Sequence, residues 1–391
     1  MTHAQRTPPA TLRDSAEALL ADSLLDAALD GTLLLPRHRV SARATLRQYD
    51  FAGARVQEQA APLTYAFDGA RLAVRISGTP VALSAPSGSL SGASPVRGRM
   101  SLRVGVGDTL EVYGQTASAP GALSSSETAA LGGITTSTVD LESILLGTTS
   151  AMGARAVAGL PLGTTTLGVW LGAEVQPRPT GETPVFWRGR TLSVGTSLAG
   201  DLGAARMSAR AEWSRSWADS LDGRNLFPGG GALSLSAMLD GPIGDGTTTS
   251  GSLSVFFTRP FANDRADQPN RLTPQGQFWG ASGELYASRG RVAFIPSVSL
   301  IRESSTVAIG TPQLPVQLSS SAWTASAGGA VDLSLGRHLS VTPEAGVAWG
   351  SVASSTSTVV RTRRGRAVTI PRGVDDPLRG AWVGVTMTTR W

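Results

Sequence analysis

The chain has no cysteine and only three histidines in 391 residues. No disulfide framework, thiolate nucleophile or cysteine-held metal can be built from it. His3, His38 and His338 are scattered, and none makes a convincing general base beside a nucleophile. No metal-ligand spacing and no twelve-residue calcium loop occurs. The glycine run Pro228–Ala232 lacks the strand-to-helix setting and the lysine of a phosphate-binding loop. An enzyme, a cofactor and a metal centre are therefore not expected. Apolar residues make up 41% of the chain, yet no run approaches the ~18 residues of a membrane helix. The formal charge of +5, from 34 basic and 29 acidic residues, is too small to argue for nucleic acid. The opening residues MTHAQRTPPA have no apolar core of an export signal. For an exported protein the expectation is that such a signal was removed ahead of residue 1.

What is present is small residues, arginine and a repeating rhythm. The 46 glycines, with abundant Ser, Thr and Ala, suit crowded strands and tight turns rather than a bulky core. Residues 1–36 form an extension in which Leu12, Ala16, Leu19, Leu20 and Leu24 recur at helical spacing behind a Thr11 cap. Gly31 and Pro36 end that short amphipathic helix. Three placements are open for it: on a rim, as a plug in a lumen, or against a partner or lipid.

From Arg37 the period changes to two. Leu72, Val74 and Ile76 alternate with Ala73, Arg75 and Ser77, and Met100 and Leu102 with Arg99, Ser101 and Arg103. Short turns at Asp68-Gly69, Gly107-Asp108, Asp201-Leu202, Gly290 and near Gly336 separate paired strands. Longer links follow at 78–95, 118–143, 177–187, 217–229, 260–274, 304–318 and 353–379. Short turns at one end and long loops at the other are the rhythm of a transmembrane barrel. The sequence predicts an all-β fold for 37–391: a closed antiparallel transmembrane β-barrel of sixteen strands, with fourteen as runner-up because Pro62 interrupts the second strand.

The last residues, GAWVGVTMTTRW, put Ala381, Val383, Val385, Met387, Thr389 and Trp391 on one face. With that strand and that rhythm, residues 37–391 resemble the single-chain outer-membrane β-barrels of Gram-negative bacteria, at the level of an architecture class and of no one family. The resemblance implies an outer-membrane, multi-pass barrel. It implies contact with outer-membrane lipid and lipopolysaccharide, and a C-terminal signal for the barrel assembly machinery carried by Val385, Met387 and Trp391. It also implies passage of small polar solutes, a fold-level expectation. A homo-oligomer is compatible with this size, although no interface is legible.

The same alternation assigns an inner face. Arg37, Arg39, Arg43, Arg47, Arg71, Arg75, Arg99, Arg103, Arg155, Arg206, Arg210 and Arg291 are expected inside. So are Glu111, Glu174, Glu212, Glu284, Glu303 and Glu344. Closure of the first strands on the last would bring Glu344 to the arginines. An arginine excess in a lumen favours anions, whereas arginine and glutamate neutralising one another would make the network structural. The lead expectation is a channel for passive or facilitated diffusion of small polar, anionic solutes. The alternative is a structural or partner-binding barrel with a plugged lumen. Segment 118–143 is a candidate constriction loop. Arg361, Arg363, Arg364 and Arg366 mark an external basic loop.

Overall fold

The computed structural model describes residues 37–391 except 52, 87, 106, 119–137, 139–140, 146–149, 177–185, 188–189, 218, 222–223, 228–229, 245–247, 262–274, 312–313 and 362–366. The helix expected at 11–30, and Arg363, Arg364 and Arg366, lie outside the described residues.

The first strands are β1 (Arg37–Phe51), β2 (Ala54–Ala60), β3 (Leu63–Asp68), β4 (Leu72–Gly78), β5 (Pro80–Ala85), β6 (Gly88–Ala93), β7 (Arg97–Arg103) and β8 (Thr109–Gln115). Next come β9 (Ala151–Leu162), β10 (Thr165–Val175), β11 (Phe186–Trp187), β12 (Thr191–Leu202), β13 (Ala205–Ser216), β14 (Asp219–Leu221) and β15 (Arg224–Phe227). The rest are β16 (Gly231–Pro242), β17 (Thr249–Phe261), β18 (Gln275–Arg289), β19 (Val292–Thr311), β20 (Leu314–Ser334), β21 (Leu339–Arg361) and β22 (Ala367–Arg390). Strands β11, β14 and β15 make a small separate sheet.

The remainder is one closed antiparallel barrel of 16 strands. β22 returns to β1, paired from Arg39 opposite Arg390 to Asp50 opposite Arg379. In lipid every backbone polar group needs a partner within the protein, so a spanning sheet must close. Pro62 does not break the second wall strand. β2 and β3 both pair with β1 in a single register, Thr45 opposite Ala60 and Ala42 opposite Leu63. The Pro62 carbonyl still accepts the Arg43 N–H at 2.9 Å. β4 and β5 continue one another across Thr79 in the same way. β6 and β7 do so across Ser94–Val96 with one residue gained.

Three links expected to be loops are therefore mostly strand. Residues 78–95 hold the β5–β6 hairpin, and 304–318 and 353–379 are the paired tops of β19–β20 and β21–β22. Pro, Gly and Ser in these stretches read as punctuation, but ladder pairing with a neighbour overrides such local preferences. Arg361, expected in a loop, is the last residue of β21 and pairs with Ala367. The turn expected at Asp201-Leu202 falls two residues later, because Gly203 supplies the positive φ of 66° that the bend needs.

The outward rows are apolar. β19 presents Phe294, Pro296, Val298 and Leu300, β21 Val341, Pro343, Ala345 and Val347, and β22 Ala381, Val383, Val385 and Met387. Val298 is 60% exposed and Val383 53%. So much exposed apolar surface wrapped around a closed sheet is satisfied by hydrocarbon. Trp213, Trp323, Trp349 and Trp391 are exposed at the margins of this band, as aromatic girdles are. His38 also points outward and stacks on Trp391 at 5.6 Å.

Inside, large rings lie flat over glycines on the neighbouring strand. Trp382 on β22 is paired with Gly346 on β21, and Trp170 on β10 with Gly195 on β12. A Cβ at either glycine would collide with the indole. Gly346→Ala is expected to destabilise the barrel by about 1–3 kcal/mol through overpacking. Gly98→Ala, where nothing lies within 4 Å, is expected to be neutral. Urea titration, reading the folded fraction by gel mobility, checks both.

Candidate functional site

The inner face divides into two regions of different chemistry. The first is an arc from β4 to β13. Short strands β7 and β8 put Arg99 and Glu111 on diagonal inner positions, Arg99 opposite Tyr113 and Glu111 opposite Ser101, and β9 adds Arg155 opposite Glu111. Arg99 and Glu111 are in direct ion-pair contact, and Arg155 Nη1 lies 3.5 Å from the other Glu111 oxygen. One carboxylate thus serves two guanidiniums. Arg210 on β13 pairs with Glu212 two residues on, at 2.8 Å.

Trp170 is the centre of this arc. Gly195 leaves β12 without a side chain beneath the indole, so the ring spreads across that strand toward β13. There the Arg210 guanidinium carbon sits 4.4 Å from the ring centroid, and that of Arg155 5.5 Å. Both are within cation–π range. Arg71, Arg103, Glu111, Arg155, Trp170 and Arg210 line a recess here. Along the arc Arg75, Arg99, Arg103, Arg155 and Arg210 share the inner face with Glu111, Glu174 and Glu212.

The second region is the upper inner face of β1, β2, β5, β6, β21 and β22, and it is not polar as the alternation led us to expect. Tyr49, Val56, Val81, Leu83, Leu90, Ala348 and Leu378 point inward and are buried together with Leu141. The cover is the described part of the long β8–β9 connector. Its 3-10 turn Glu142–Leu145 packs on β2 and β5. Glu58 on β2 accepts the Glu142 N–H at 2.9 Å and the Ser143 N–H at 2.7 Å. Arg47 on β1 pairs with the same carboxylate at 3.1 Å, with side-chain exposures of 3% and 0%. Farther along, the Thr324 hydroxyl of β20 donates to the Thr138 hydroxyl at 2.9 Å. Its described residues, Thr138 against β20 and 141–145 against β2 and β5, thus lie as a strap on the inner wall.

The expected inner residues occupy several settings. Arg43 on β1 is in ion-pair contact with Glu344 on β21, reaching across β22 at the seam. Arg39 and Arg75 lie on the same face, while Glu284 on β18 and Glu303 on β19 stand away from the arc. Arg206 is near the β12–β13 hairpin end, 4.0 Å from Asp201, with both largely exposed. Arg71 and Arg291 lie in turns rather than on the wall. Glu58 was not among the expected inner residues. Its parity with Val56 and Ala60 was the available signal. Tyr49 and Trp170 went unremarked as single aromatics.

No family model matches the chain, and no curated protein matches it. Among solved structures, OmpT, an outer membrane protein of Vibrio cholerae, aligns over 92% of this chain and 99% of its own at 9% identity, with a TM-score of 0.41. OpdK of Pseudomonas aeruginosa, solved with vanillate, aligns over 92% and 100% at 11% identity, with a TM-score of 0.42. OpdQ of the same organism aligns over 92% and 100% at 9% identity, with a TM-score of 0.36. Likenesses this weak carry no argument about function. The closed ring and its apolar outer face make this chain a transmembrane β-barrel of the outer-membrane type.

Proposed function

We propose that this protein is an outer-membrane channel of a Gram-negative bacterium that passes small polar solutes and favours anions. The observation that carries the reading is the arginine arc, in which Glu111 is shared between Arg99 and Arg155. A ring of 16 strands encloses a water-filled bore unless something fills it. Positive charge held on a narrow, low-dielectric wall raises the local anion concentration. Arginine also offers a planar fork that hands a carboxylate or phosphate from one site to the next. The Val385, Met387 and Trp391 face is proposed as the assembly signal.

A second reading has its own support. The described residues of the strap lie on the inner wall and are held at the buried Arg47–Glu58 pair, which favours a plugged structural or partner-binding barrel. Conductance of the purified barrel in planar bilayers decides between the two. Stepwise currents with an anion-positive reversal potential support the channel, and a folded but silent barrel supports the plug.

Two substitutions sharpen this. Arg155→Gln is expected to lower the anion-to-cation permeability ratio. A unit charge ~4 Å from an ion is worth about 1 kcal/mol even at the dielectric constant of water, a factor of roughly five. An unchanged reversal potential under a salt gradient counts against the arc as selector. Glu58→Ala leaves Arg47 buried without its carboxylate, a loss of about 3–5 kcal/mol when a buried pair is broken, and unseats the strap. Its single-channel conductance is expected to rise; an unchanged value means that the strap does not limit the bore.

A further inference from the structure

We infer that the recess beside Trp170 is a binding subsite for a phosphate group, either free or at the end of a phosphomonoester. The inference deepens the channel reading and rests on it for the use of the site, whereas binding itself needs no current. Arg103 on β7, Thr109 on β8, Arg155 on β9, Trp170 on β10, Ser197 on β12 and Arg210 on β13 line the recess. Strand register puts all of them on the inward parity. Arg71, from the β3–β4 turn, adds a further guanidinium.

This lining is rich in donors and poor in acceptors. Guanidinium and indole N–H groups only donate, and the hydroxyls of Thr109 and Ser197 can do so. Glu111 is the acidic lining residue among those described, and its carboxylate is already engaged. One oxygen contacts Arg99 and the other lies 3.5 Å from Arg155. Trp170 is 3% exposed, and its buried N–H has no hydrogen-bond partner among the described residues. A buried donor without a partner is costly, and an acceptor in the recess relieves that cost. The Arg210 and Arg155 guanidinium carbons gather at the same ring, 4.4 and 5.5 Å from its centroid. An anion between such cations offsets their mutual repulsion.

Size and shape select the group. The recess has a volume of about 80 Å³. At ~10–15 Å³ for each water-sized sphere, that is room for about five to eight non-hydrogen atoms. A phosphate group fits within it, and a sugar ring beside that phosphate does not. A carboxylate fits as well, but it presents its oxygens in one plane. A phosphomonoester brings three acceptor oxygens and about −1.5 to −2 charges at pH 7, which suits guanidiniums converging from a turn and from separate strands. Each guanidinium can take phosphate oxygens through parallel N–H groups. Arg71 and Thr109 place the recess at the short-turn end of the wall, the periplasmic end in barrels of this class. A phosphorylated solute bound here therefore has its phosphate at the exit and its remainder in the bore.

The test uses the intact folded barrel in detergent micelles, titrated calorimetrically with inorganic phosphate, glucose 6-phosphate or acetate. The expected result is a single site for both phosphates, with acetate weaker by about tenfold or more, as fewer charge-assisted bonds predict. The tighter of the two phosphates tells whether the free ion or the ester is the ligand. Trp170→Phe keeps a ring over Gly195 and removes the N–H. It is expected to weaken phosphate binding by about tenfold, the loss of a hydrogen bond to a charged group. Arg71→Gln/Arg103→Gln should lose at least as much, while Arg259→Gln on the outer wall leaves the affinity unchanged, with gel mobility showing that each variant is folded. Unchanged affinity in either recess variant, or acetate bound as tightly as phosphate, overturns the site. Conductance of the same preparations separates the two readings. A silent barrel that binds phosphate keeps the site and removes the channel, and anion currents from a barrel that binds no phosphate remove the site and keep the channel.

Discussion

The hydrogen-bonded seam between β1 and β22 is the constraint from which the rest follows. Once the two ends of the sheet are joined, every strand has two neighbours, and each side chain must face either hydrocarbon or the bore. Parity then becomes chemistry. Val383 and Val385 belong outside because Thr386 and Gly384 belong inside, and a slip of one residue would exchange the two sets. The Arg43–Glu344 pair spans this joint from within, so polar contact and backbone ladder reinforce one closure.

Much of this was legible in the sequence. The strict alternation of Met100 and Leu102 with Arg99 and Ser101 announced its two faces, and the structure keeps that assignment. The strand number was legible too, although Pro62 obscured it. A proline costs a ladder only its own N–H, and the flanking register carried on unbroken. The upper hairpins were not legible as strand. Pro80, Gly88 and Pro371 look like loop residues when read locally, and only their cross-strand partners show otherwise.

The inner apolar patch was the larger departure. Alternation tells which residues share a face, and it cannot tell what that face touches. Val81, Leu83 and Leu90 share the parity of lumen residues, and they are apolar because a distant segment covers them. Leu141 supplies the cover, and Glu58 anchors Ser143, 85 residues farther along the chain. The polar arc and the apolar patch thus divide the described inner face into two sides of different chemistry.

The strap also fixes a sequence of events. Its seat is assembled from Tyr49 and Val56 near the start of the barrel and from Ala348 and Leu378 near its end. Half of that seat does not exist until the final strand has zipped against the first. The described cover therefore cannot rest on its complete seat before the ring has closed.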